Sequence, residues 1–281
     1  MSAPRIGVMQ GRLVPPEEGR FQSFPAGRWR DEFALAGRAG LACIEWIYEQ
    51  PNEDRNPLRL DDGLAEMRRL STTSGVGVWS ICADYYMTRR LIAPDARPVA
   101  GVVAHLRWLI SRARALKISY IVLPFVDSSA LRSSAEKAAL APLLHTLVPD
   151  AAAAGVELHL ETDFPPDELA QVLAQINHPL IKANYDIGNS ASLGFDCRRE
   201  LSLLAPWLGS VHVKDRVLGG GTVPLGSGAA DLPAAFRGIR EAGFDRWLVM
   251  QVARGEPGNE LAWCTANRWR IESEITALEV L

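Results

Sequence analysis

Eight short apolar runs, each parted from the next by an amphipathic stretch, constrain this chain more than any other feature. They are 5–11, 43–49, 76–85, 120–127, 156–163, 181–188, 209–216 and 247–254. Runs of this length, rich in β-branched and aromatic residues, read as strands, and the stretches between them, such as VVAHLRWLISRARALK and LPAAFRGIREAG, carry helical periodicity. Gly40, Gly75, Gly155 and Gly243 each stand before an apolar residue that opens or leads into a strand. A glycine there supplies the left-handed stop of the preceding helix. Strand, helix, stop and strand in repetition predict an α/β fold, a (β/α)8 TIM barrel, and 281 residues suit one such domain over 1–281. An open doubly wound sheet is disfavoured, because no glycine-rich fingerprint follows the first strand and polar residues recur at the ends of all the strands.

In a barrel those C-terminal strand ends form the active face. The fifth run, VELHLETDF, alternates Val156, Leu158 and Leu160 with Glu157, His159, Glu161 and Asp163. A polar face of that kind needs a metal, a counter-charge or a wet cavity, since burying unpaired charges is expensive. The same parity turns Lys182, Asn184 and Asp186 inward on the sixth strand, Ser210, His212 and Lys214 on the seventh, and Val249, Gln251 and Ala253 on the eighth. Glu161, Asp186, His212 and Gln251 then arrive on four consecutive strands near one height, as a cage for a divalent cation. Its oxygen-rich donors suit Mn2+, Mg2+ or Co2+ better than Zn2+.

Around this cage, Gln10, Arg12, Glu45, Asp84, Arg216 and Arg254 lie at strand ends and are expected to contact substrate, the arginines through a phosphate or carboxylate. His159, one inward step below Glu161, is expected to support that carboxylate rather than to ligate. Tyr85 and Tyr86 are candidates for lining the pocket. Cys43, Cys82, Cys197 and Cys264 are widely spaced and form no CxxC pair, so free thiols are expected. A net charge of −3 gives no electrostatic footing for nucleic acid. With neither a signal-peptide core nor a run of roughly 20 apolar residues, the sequence reads as cytoplasmic and without a membrane partner.

LHLETD (158–163), YDIGNS (185–190), VHVKDR (211–216) and PLGSG (224–228) together resemble the xylose isomerase-like family of TIM barrels, from VMQGRL (8–13) to LVMQVAR (248–254). The resemblance implies a metal held by Glu161, Asp186 and His212, and sugar isomerase or epimerase chemistry on a small carbohydrate through an enediolate. It also implies a homodimer or homotetramer. Family members usually end the ligand set with a glutamate on the eighth strand, where this chain has Gln251. Gln251 is expected to ligate through its amide oxygen but cannot take a proton, which leaves Glu161 as the base and Lys214 or Asp84 to replace the lost acid. Two alternatives remain at this stage: a dehydratase of a polyol or enone acid on the same site, and a sugar-binding barrel without turnover.

Overall fold

The computed structural model describes residues 5–279. One strand forms in each apolar run: β1 (Arg5–Met9), β2 (Cys43–Ile47), β3 (Gly77–Cys82), β4 (Tyr120–Phe125), β5 (Glu157–Thr162), β6 (Ile181–Asp186), β7 (Leu208–Val213) and β8 (Trp247–Met250). Each pairs in parallel with its sequence neighbour and β8 returns to β1, closing the barrel as expected. The outer ring is built from α1 (Asp31–Arg38), α2 (Asp61–Ser74), α3 (Ala100–Leu116), α4 (Ser134–Ala154), α5 (Pro166–Ile176), α6 (Ile187–Leu193), α7 (Cys197–Leu204), α8 (Leu232–Glu241) and α9 (Glu260–Glu279). The sequence reading named no helix between β6 and β7, where α6 and α7 are short and divided by Gly194 at φ 77°.

The glycine stops are real. Gly40, Gly75, Gly155 and Gly243 have φ of 72°, 72°, 68° and 72°. That conformation carries no steric penalty without a Cβ. On the outer faces of the strands Leu158, Leu160 and Val211 join Leu144, Leu147 and Leu173 of the helices in one buried apolar layer. Each such side chain contributes roughly 1.5–3 kcal/mol through burial.

The pairing of β6 with β7 steps from Ala183–Leu208 to Asn184–Ser210, so Gly209 is an extra residue on β7. A Cβ on Gly209 would lie 2.6 Å from Lys182 Cβ and 2.7 Å from the His159 ring, which only glycine avoids. This bulge brings Asp186 and His212 side by side above it.

Helix α9 turns its apolar stripe onto its own barrel: Cys264 and Ile271 are buried and Leu261 and Ile275 pack against the core, while Trp269 stays exposed. That stripe is thus largely used within the chain. Residues 1–4, in which the N-terminal reading begins, and 280–281, which close the last helical run, lie outside the described residues. Among the described residues no helix is long and apolar enough to cross a membrane, and the four cysteines are free.

Glu136 closes a capping box at the start of α4, accepting from the Ser133 amide at 2.8 Å and the Arg132 amide at 3.1 Å, with Arg90 paired beside it. These donors, the Ser133 amide first, hold its carboxyl down to about 2 from an ordinary 4.5. A depressed carboxyl stabilises the fold above its unfolded value and loses that effect as pH falls through the folded one. Glu136→Gln is therefore expected to lower unfolding stability by about 1 kcal/mol at pH 7. In urea melts the gap to wild type should shrink between pH 4.5 and 2; a gap independent of pH would show that the charge is not what stabilises this cap.

Candidate metal centre and cleft

Glu161 and His212 stand one residue before the ends of β5 and β7, Asp186 ends β6, and the bulge at Gly209 sets Asp186 and His212 in register. One ligand atom from each falls within 4.8 Å of the others, and all three residues are buried. His212 is oriented from behind. Its Nε2 lies 2.6 Å from Glu45 Oε1, and its Nδ1 faces Glu161 Oε2 at 3.6 Å and Asp186 Oδ2 at 3.7 Å. Glu45, fully buried on β2, accepts the Nε2–H, so Nδ1 is the nitrogen turned toward the two carboxylates, where a bound cation would replace its proton. Burial opposes a charge on this ring, but Glu45, Asp186 and Glu161 outweigh it and push His212 up to about 10.

Burial also pushes the Glu161 carboxyl up to about 7, against the pull of His212. Its Oε1 accepts from Asn189 Nδ2 at 2.7 Å, and Asn184 Nδ2 lies 3.4 Å from Oε2 and 3.2 Å from His212 Nδ1. Asp186 Oδ2 is buried and accepts no aligned hydrogen bond, although Lys214 Nζ is 2.8 Å away. Two carboxylates and an imidazole nitrogen turned toward one point fit a divalent cation.

Of the three groups, Glu161 lines a cleft of about 620 Å³. Of the other sequence candidates, Asp84, Lys214, Arg216 and Gln251 line the cleft. Gln10 and Arg12 do not: Gln10 Oε1 accepts from the Ile47 amide at 3.0 Å, and Arg12 donates to the carbonyls of Val252 (2.9 Å) and Phe21 (3.2 Å). Arg254 is spent the same way, on the carbonyls of Phe21 (2.8 Å) and Val14 (3.1 Å). These three are struts of the β1–α1 loop. Glu45 sits behind His212 rather than in the cleft.

His159 makes no contact with Glu161. Stacked on Tyr120 with ring centroids 4.2 Å apart, it is hydrogen-bonded to Ser210 Oγ at 2.8 Å and the Glu157 carboxylate at 2.9 Å. Support reaches Glu161 only in two further steps, because Ser210 donates to Asn184 Oδ1 at 2.6 Å and Asn184 faces the carboxylate. Tyr85 and Tyr86 turn away from the cleft onto His105, Tyr85 stacked at 4.1 Å and the Tyr86 hydroxyl 3.1 Å from Nδ1.

The sequence reading missed several residues of the wall: Arg20, Phe21 and Gln22 from the β1–α1 loop, and Asn189. Asn189 was within reach, since it belongs to the YDIGNS segment; it accepts from Arg216 Nη1 at 2.7 Å and so ties that arginine to Glu161. The PLGSG segment is held by Asp215, whose carboxylate accepts from the amides of Gly226, Gly228 and Ala230 at 2.7, 2.9 and 3.1 Å. Ahead of it, Asp215–Arg216 and Thr222–Val223 form a small antiparallel ribbon, and Gly221 and Thr222 reach the cleft.

A family model described as xylose isomerase-like TIM barrel matches residues 33–270. No curated protein sequence matches the chain. Among solved structures, a D-allulose 3-epimerase from Methylomonas sp. superposes with a TM-score of 0.75 at 16% identity, covering 98% of this chain and 99% of the other. The IOLI protein with a bound zinc atom gives 0.74 at 16%, covering 97% and 98%. The 3-keto-D-glucoside 4-epimerase YcjR from E. coli gives 0.70 at 14%, covering 96% and 99%.

Proposed function

As the chain belongs to the xylose isomerase-like TIM barrel family, we propose that it is a divalent-metal-dependent isomerase or epimerase of a sugar, a sugar phosphate or a related hydroxy-carbonyl compound. The observation that carries this reading is the convergence of Glu161, Asp186 and His212 on one point, with Glu161 opening onto the cleft. The epimerase neighbours and the zinc atom of the IOLI protein support it. A divalent ion bound there supplies Lewis-acid polarisation of a substrate carbonyl; Mn2+, Mg2+ and Co2+ suit the two carboxylates and one imidazole.

The chain's own groups then divide the work. Glu161, open to the cleft and held by Asn189, removes the proton α to the carbonyl and returns it to the neighbouring carbon of the enediolate. Lys214 presents an ammonium in the same cleft, where it donates to oxygen as negative charge develops. Asp84 accepts from the distal hydroxyls, and Arg216 donates to hydroxyls or to an anionic group. The apolar walls made by Phe21, Pro51, Met87 and Val126 exclude water beside them.

The test is proton exchange. Metal-stripped protein reloaded with Mn2+ and mixed with ketoses and ketose phosphates in deuterated water should place deuterium α to the carbonyl and yield an isomer or epimer, seen by NMR. Chelation should stop both and added Mn2+ restore both. Binding of metal and sugar without exchange would leave only a carbohydrate-binding barrel, and exchange with loss of water would make the enzyme a dehydratase.

A further inference from the structure

Gln251 stands where a fourth ligand is expected, yet both ends of its amide are already engaged. Lys214 Nζ donates to Gln251 Oε1 at 2.6 Å and lies 2.8 Å from Asp186 Oδ2, so an ammonium sits between the two. At the other end Gln251 Nε2 donates to Gln22 Oε1 at 3.0 Å. Gln22 Oε1 also receives Arg12 Nη2 at 3.1 Å, while Gln22 Nε2 donates to Asp84 Oδ2 at 2.8 Å.

The direction of this chain is over-determined. An arginine and a carboxylate at its flanks fix which end of Gln22 is oxygen, and that choice forces Gln251 to offer nitrogen to Gln22 and oxygen to Lys214. A glutamate at 251 has no proton to give Gln22. The lysine is built in as well: a Cβ on Gly188 would lie 2.8 Å from Lys214 Cγ and 3.0 Å from its carbonyl carbon, so the Lys214 stem rests on bare backbone.

Building on the metal-dependent reading above, we propose that Gln251 is not a ligand but a positioning residue: an amide relay from Asp84 through Gln22 and Gln251 holds the Lys214 ammonium against Asp186. The metal would then have three protein ligands, Glu161, Asp186 and His212, with the ammonium held between Asp186 and Gln251. The amide at 251 is in this account a matched part of the site, not a worn-out glutamate.

The experiment titrates Mn2+ into the metal-stripped full-length protein by calorimetry. His212→Ala should weaken binding by about 100-fold or more, as loss of a true ligand does. Gln251→Ala should change it less than about 3-fold, and Lys214→Met should tighten it by about 10-fold through removal of a competing positive charge. The absorption bands of the Co2+-loaded protein, which follow ligand number, should be the same in wild type and Gln251→Ala.

The chain has four lysines, so side-chain NMR of labelled lysine resolves them. Gln251→Ala and Gln22→Ala should each shift the Lys214 ammonium signal and spare Lys117, Lys137 and Lys182. Gln22 lies on a loop, and its variant keeps the relay testable if the buried change at 251 impairs folding. A Gln251→Ala protein that loses Mn2+ as His212→Ala does, with altered Co2+ bands, overturns this proposal alone. An unmoved Lys214 signal in both variants does the same. A wild-type chain that takes up no Mn2+ overturns it together with the functional reading.

Discussion

Glu161→Gln is expected to lower turnover by about 10⁴-fold, the upper end of what one general base contributes. The substitution keeps the shape of the side chain and an oxygen for Asn189, now 2.7 Å from the carboxylate, so the barrel should fold unchanged. What it removes is the basic lone pair in the cleft and one negative charge of the metal set. Steady-state rates with saturating Mn2+, read beside deuterium wash-in, separate the two losses: a base defect persists at any metal concentration. Turnover within tenfold of wild type would mean that some other group removes the proton.

The second large effect is expected at a residue that touches neither cleft nor substrate. Glu45→Gln should weaken Mn2+ binding by about 10–100-fold. Glu45 Oε1 is 2.6 Å from His212 Nε2, and as a carboxylate it locks the proton on that nitrogen and makes Nδ1 a better donor to a metal. A neutral amide gives up the charge, and its own N–H competes for the ring. Circular dichroism and thermal melts serve as the control, and wild-type affinity in a folded Glu45→Gln protein would count against the orienting role.

Most of the barrel could be read from residues because its two devices are local. Alternation along a strand and a glycine at the end of a helix require no knowledge of the rest of the chain, and together they located all eight strands and the four left-handed stops. Parity also brought Glu161, Asp186 and His212 together, since side chains inside a strand have no freedom to face elsewhere. Past the strand ends the rule still holds for Lys214 and Gln251, which line the cleft, and fails elsewhere. Gln10 and Arg12 follow β1 and Arg254 follows β8, and there the backbone turns, so the side chains satisfy loop carbonyls and amides instead of facing the axis. Gln22 was beyond reach for a related reason. It lies in a long connection without periodicity, and only the folded chain shows it bridging Asp84 and Gln251. Glu45 had the right parity but the wrong assignment, because nothing in the sequence says that the ring of His212 reaches across the barrel to β2.

The two arginine struts have a consequence for recognition. The Phe21 carbonyl receives both Arg12 and Arg254, and Arg12 also lies over the Phe21 ring at 4.6 Å, so the stretch that carries Phe21 and Gln22 into the cleft is pegged to the barrel from two sides. A wall fastened in this way is already in its working position when a ligand arrives. Association then bears little of the entropy of ordering a loop, commonly ~0.5–1.5 kcal/mol for each side chain immobilised. Such a cleft selects by rigid fit: a ligand of the wrong outline meets a fixed surface instead of a loop that folds around it.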